Sequence, residues 1–225
     1  STRLGLPGKP ILAEEIQVAR DIKLTRYAES KLHFTGVTSP KSLEYINRSK
    51  ESGIAVTCSV TPAHLYFSDE DLQTYDTNLK LYPPLRATTE RDALKAAVLN
   101  GSVDCIASHH QPHEYDSKVC EFEYAKAGMI GLETSYGVMG AVFGDALSAN
   151  KWVELVSINP RRVLDLEMPV IKEGAPANVT MFIPGATYVF TEDDIRSKSK
   201  NSAFVGRELK GKVIGIINNN QLKLN

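Results

Sequence analysis

The chain has no excess of either charge: 26 Lys and Arg stand against 27 Asp and Glu, a net −1 over 225 residues. Without a basic stripe to displace counterions from phosphates, nucleic acid is excluded as a main partner. Cysteine is scarce. Cys58, Cys105 and Cys120 are an odd number without CxxC spacing. They indicate neither a disulfide framework nor a zinc ribbon, and reduced thiols in a cytoplasmic protein are expected. No apolar run reaches the roughly 20 residues that span a bilayer. The opening STRLGLPGKP lacks the apolar core and small-residue cleavage site of a signal peptide. No internal repeat is visible. Also absent are an HxH or HExxH pair, a GxSxG nucleophile elbow and a P-loop. What remains is 42% hydrophobic and 24% charged, ordinary for a globular protein and enough for one large domain or one and a half smaller ones.

The hydrophobic pattern alternates. Ile11 to Ala28 reads as a helix with Ile16, Ala19, Ile22 and Tyr27 near one face. KLHFTGV (31–37) reads as a strand. The next helix has Ser39 as N-cap, Pro40 in its first turn and Gly53 as its stop. IAVTCSV (54–60) suits a strand buried on both faces. An irregular stretch from Thr61 to Arg86 contains a Pro-Pro pair that a central strand excludes. Thr89 to Asn100 reads as a helix, and Val103 to Ser108 as another buried strand. Helix, strand, helix, strand, helix, strand implies parallel strands with crossover connections. The fold class is therefore α/β, part of a (β/α) barrel or open sheet, with ligands bound where strands end. From Val170 onward, short β segments alternate with Gly, Pro and Asn turns. GAPANVTMFIPG, FVGRELKGKVIGII and NNNQLKLN read as a small β appendage. TEDDIRSKSKNSAF (191–204) reads as a polar surface loop.

The residues of interest follow the strands: Gly36 to Thr38, Thr61 to His64, and His109 to His113. IASHHQPHEYDSK (106–118) holds three of the five histidines, His109, His110 and His113. A catalytic zinc needs three protein ligands and an open position. Adjacent His109 and His110 point apart in an extended chain, and a histidine cluster without paired ligand motifs is more often a hydrogen-bonded loop. His64 reads as a packing residue beside Pro62, and His33 as a satisfied strand histidine. Arg86 either holds an anion or anchors its loop through a salt bridge. Backbone N–H groups from Gly128 to Gly131 either grip a ligand carboxylate or form a plain loop-to-helix turn.

GLPGKPILAEE (5–15), LHFTGVTSPKSLEYI (32–46), VTPAHL (60–65), YPPLR (82–86), SHHQPHEYDSK (108–118), GMIGLET (128–134), INPRRVLDL (158–166), GAPANVTMF (174–182) and SKSKNSAFVGRELKGKV (197–213) together resemble the C-terminal half of a class I dihydroorotase, in the amidohydrolase superfamily. The resemblance implies a TIM-like (β/α) barrel beside a small β domain, placed here at residues 1–168 and 169–225. It also implies zinc-dependent opening or closure of the dihydroorotate ring, with carbamoyl-aspartate as the open form, in pyrimidine biosynthesis.

The same resemblance marks departures. Where the family has a metal-binding histidine in HxST, this chain has Gly36, which offers no donor atom. Where it has the catalytic Asp of DHAPH, the general base, this chain has His109. Where it has a substrate asparagine before PPLR, this chain has Tyr82. His113 and the Gly128–Gly131 backbone match substrate-contacting positions. The candidate site is thus His109 in the catalytic place, with His113, Tyr82, Arg86, Gly128 and Gly131 around substrate. No metal ligand is certain, though His109 is possible.

These changes imply a degenerate dihydroorotase-like pseudoenzyme without its zinc, serving as a structural partner of aspartate carbamoyltransferase. The alternatives are an active hydrolase whose main ligands lie in the N-terminal half, and a ligand-sensing module. A half barrel leaves open sheet edges, so the chain is expected to self-associate or to be held by its other half.

Overall fold

The computed structural model describes residues 3–218 and 221–224. The turn expected in the asparagine run falls on residues 219 and 220, which with 1, 2 and 225 lie outside the described residues. In chain order the first elements are α1 (Leu12–Tyr27), β1 (Leu32–Phe34), α2 (Pro40–Glu51), β2 (Val56–Val60), α3 (Pro62–Tyr66), α4 (Thr88–Leu99) and β3 (Cys105–Ile106). There follow α5 (Ser135–Phe143), α6 (Ala149–Val153), a π-turn at Glu154–Ile158, α7 (Asn159–Val163), β4 (Val179–Val189), β5 (Glu208–Asn218) and β6 (Gln221–Leu224).

β1, β2 and β3 form one parallel sheet in that order, with Leu32 opposite Val56 and Ser59 opposite Cys105. Parallel neighbours require crossovers, which α2 and α4 supply. α2 begins where the sequence reading places it: Ser39 Oγ accepts from the Lys41 and Ser42 amides, with Pro40 at the first helical position. It ends before Gly53, whose φ of +79° a side chain would strain. Val56, Cys58 and Val60 are buried with Ile46, Leu94, Val98 and Leu155 in a core between sheet and helices. That arrangement is a partial α/β barrel.

β4, β5 and β6 form a separate antiparallel sheet. It is fastened to the rest through α5, where small residues permit close approach: a Cβ at Gly140 would collide with the Lys210 carbonyl oxygen on β5. A second core gathers Phe67, Leu85, Ile130, Phe190, Phe204 and Leu209. It joins the loops at the strand ends to the second sheet.

Two expectations need correction. The buried face of α1 is Val18, Ile22 and Thr25, whereas Ile16 is 60% and Tyr27 90% exposed. The helix carries apolar residues on two opposite faces, so a simple period count picked residues from both. Segment 191–204 is not a mere surface loop. After a 3₁₀ turn at Glu192–Asp194, Ile195, Asn201, Ala203 and Phe204 are buried. Its apolar residues are too few and too widely spaced to register against the charged ones between them. Among the described residues no helix is long and apolar enough to cross a membrane.

Candidate functional site

The loops that follow β2 and β3 converge with segment 128–131 on one cavity. Thr61, His64, Tyr82, Ser108, His109, Gln111, Gly128 and Gly131 are among its lining residues. Its volume is about 20 Å³, room for a single water and not for a ring-shaped substrate.

His109 adopts φ +44°, a left-handed conformation uncommon outside glycine. That turn sends its ring toward the β1 loop, where Nε2 shares a 2.8 Å hydrogen bond with Thr35 Oγ1. Ser59 Oγ donates to the same threonine oxygen at 3.2 Å. Burial pushes the His109 pKa down, favouring the neutral imidazole. Gly36, at φ +69°, lies directly beneath the ring. His110 is engaged elsewhere: its Nδ1 accepts from the Gly131 and Leu132 amides at 3.1 and 3.4 Å.

His64 is buried, with Nδ1 against Thr61 Oγ1 at 2.7 Å and Nε2 against the Pro83 carbonyl at 2.8 Å. Both nitrogens are engaged in holding the turn after β2, and burial first of all pushes the pKa down to about 4. His33 bonds Thr57 Oγ1 at 2.8 Å on the neighbouring strand. His113 Nε2 bonds the Ala127 carbonyl at 2.9 Å, and its amide donates to Asn201.

Arg86 acts as a loop anchor. It donates to Thr38 Oγ1 at 3.0 Å and the Lys9 carbonyl at 2.8 Å, and lies 3.7 Å from Glu14. Glu14 in turn accepts from the Thr38 and Ser39 amides at the start of α2 and from the Thr38 hydroxyl. The carboxylate thus holds the helix N-terminus. Tyr82 is exposed, and its hydroxyl accepts from Lys9 Nζ at 2.6 Å. Of the candidate residues, His109, Tyr82, Gly128 and Gly131 line the cavity together, while Arg86 and His113 are not among its lining residues.

Of the two readings of Gly128 to Gly131, the amide partners favour the plain turn. The Gly128 amide donates to Lys80 O, Ile130 to Asn201 O, and Gly131 to His110. An extended segment this close to neighbouring loops satisfies its backbone internally.

Two residues that hold the site together were not singled out from the sequence. Asn201 accepts from His113 N and donates to the Gln111 and Gly128 carbonyls. Lys118 is buried with Nζ on the Thr77, Lys126 and Gly128 carbonyls, each at 2.8 Å. Nothing in the surrounding pattern marks a buried lysine bonded to carbonyls rather than to an acid.

Among the described residues no three His, Cys, Asp or Glu side chains cluster to hold a metal ion. The donors that this chain itself places around the cavity do not by themselves make a zinc site. Gly36 supplies none, Nε2 of His109 is bonded to Thr35, and both nitrogens of His64 are occupied by the protein.

No family model matches the chain. A curated dihydroorotase of Syntrophus aciditrophicus is 38% identical over 215 residues, 95% of this chain and 50% of that protein. Among solved structures, the L-hydantoinase (dihydropyrimidinase) of Arthrobacter aurescens superposes with a TM-score of 0.88 at 23% identity, over 95% of this chain and 49% of its own. The inactive dihydroorotase-like domain of a CAD-like multifunctional protein from Chaetomium thermophilum gives 0.67 at 18% identity, over 91% and 54%. The two superpositions bear on fold alone. The chain spans about half the length of the curated relatives it matches. Its sequence match, carried across nearly all of these strands and loops, places the chain in the dihydroorotase family.

Proposed function

We propose that this chain is half of a dihydroorotase-like protein, cytoplasmic and non-catalytic, that serves pyrimidine biosynthesis as a structural partner of aspartate carbamoyltransferase. In this reading residues 1–168 are the barrel portion, residues 169–225 belong to the small β domain, and the rest of a full-length barrel completes the open sheet. One observation supports the loss of activity above the others. The imidazole of His109 occupies the strand-end cavity with its Nε2 bonded to Thr35, where the family would place a carboxylate general base. A neutral ring tied to a hydroxyl neither carries the charge of that base nor leaves room for a substrate ring. The name of the Chaetomium domain, inactive and dihydroorotase-like, describes a comparable case on a similar fold.

A second reading rests on the 38% identity to a protein named dihydroorotase: the full-length protein hydrolyses dihydroorotate with zinc ligands supplied mainly from outside this chain. Metal analysis and dihydroorotate turnover of the full-length protein, alone and with aspartate carbamoyltransferase, separate the two. The first reading expects no stoichiometric zinc, no turnover and co-elution with the carbamoyltransferase. Stoichiometric zinc with turnover establishes the second and defeats the first.

A further inference from the structure

Gly36 and His109 sit on different loops, one after β1 and one after β3, yet each is shaped to the other. A Cβ at Gly36 would collide with Cε1 of His109 and lie 3.0 Å from Nε2 and 3.1 Å from Nδ1. All three atoms belong to the ring, so the imidazole stands where a side chain at position 36 would begin. The ring reaches that place because His109 takes a left-handed conformation, and Thr35 holds it there.

Two residues further on, Gln111 repeats the arrangement. Gly128 has φ +125°, and a Cβ there would collide with Oε1 of Gln111 and lie 2.7 Å from its Cβ. At Gly131 a Cβ would come within 2.5 Å of the Ser108 carbonyl oxygen. One short loop, 108–111, therefore fits three glycines on two other segments.

We infer that loop 108–111 is an internal plug, in which the His109 imidazole takes the side-chain space left at Gly36 and Gln111 takes that left at Gly128. The chain itself fills the strand-end cavity. Gly36 and His109 are then one packing unit, and a change at either is felt through the other. Removing the ring leaves a flat hole beside the Thr35 hydroxyl, which suits a free azole such as imidazole. The inference deepens the non-catalytic reading, but its test measures packing and not turnover, so either can fail while the other stands.

The test is a double-mutant cycle on the full chain, read by thermal unfolding: wild type, Gly36→Ala, His109→Ala and the double variant. Alanine at φ +69° is strained in both backgrounds, so the strain cancels and the collision with the ring remains. Gly36→Ala is expected to lower Tm far more in the wild-type background than in His109→Ala. Equal losses in the two backgrounds overturn the inference.

Should Gly36→Ala fail to fold in the wild-type background, imidazole binding decides. The His109→Ala protein should gain Tm with imidazole concentration, while the wild type and the double variant should not. An unchanged Tm for His109→Ala in imidazole overturns the plug.

Discussion

His64 shows how single side chains at the strand ends are committed to structure. It is buried, neutral, and bonded at both nitrogens. Protonating Nδ1 would place a charge in a site that offers only a hydroxyl and a carbonyl. Burial has pushed its pKa down to about 4, against about 6.5 for an unfolded histidine. Between those values the unfolded chain binds the extra proton, so stability must fall as pH drops from about 6.5 toward about 4 and level off below. Urea denaturation across that range should show the decline, and His64→Gln should flatten it. An unchanged slope in the variant would assign the pH dependence to other groups. His109 has the same sign, since burial lowers its pKa too. Asn201, with its bonds to two segments, belongs to the same class of residue. Its importance comes from neighbours distant in sequence, which no local pattern encodes.

Among the elements, the junction between α5 and β5 is the most sharply constrained. Gly140 faces the Lys210 backbone, and a Cβ there would collide with the carbonyl oxygen and lie 2.8 Å from its carbon. Backbone cannot swing aside as a long side chain can. Gly140→Ala is expected to cost roughly 1–3 kcal/mol by forcing the helix off the sheet. Gly185 in β4 has nothing within 4 Å of its Cβ position, so Gly185→Ala should change stability by about 0.5 kcal/mol or less. Chemical denaturation of the two variants side by side checks the contrast, and equal effects would contradict it.

Elements of this kind were legible where local chemistry dominates. Ser39 and Pro40 announced α2, Gly53 its end, and the apolar run 54–60 announced a strand buried between layers. The buried face of α1 was not legible, because Leu12, Ile16, Leu24 and Tyr27 compete with Val18 and Ile22 for the same period. The burial of Ala203 and Phe204 was hidden in a polar segment, and it comes from the packing of that segment against α3 and the second sheet.

For the molecule as a whole, the loops after β2 and β3 meet segment 128–131 around a small cavity, and a hydrophobic core joins those loops to the second sheet. The sequence resemblance directed attention to positions 36 and 109. That the two touch could not be read from it, since 73 positions separate them and their contact depends on two left-handed residues on different loops. The pairing joins two positions that the resemblance marks separately into one physical feature, a ring fitted over a glycine. The most direct measurement of that feature is an anomalous-scattering map at the zinc edge, from crystals of the chain soaked in a zinc salt. The account predicts no zinc within bonding distance of His109, with its imidazole still over Gly36 and bonded to Thr35. A zinc ion about 2.1 Å from His109 Nε2, with the Thr35 hydrogen bond broken, would contradict it.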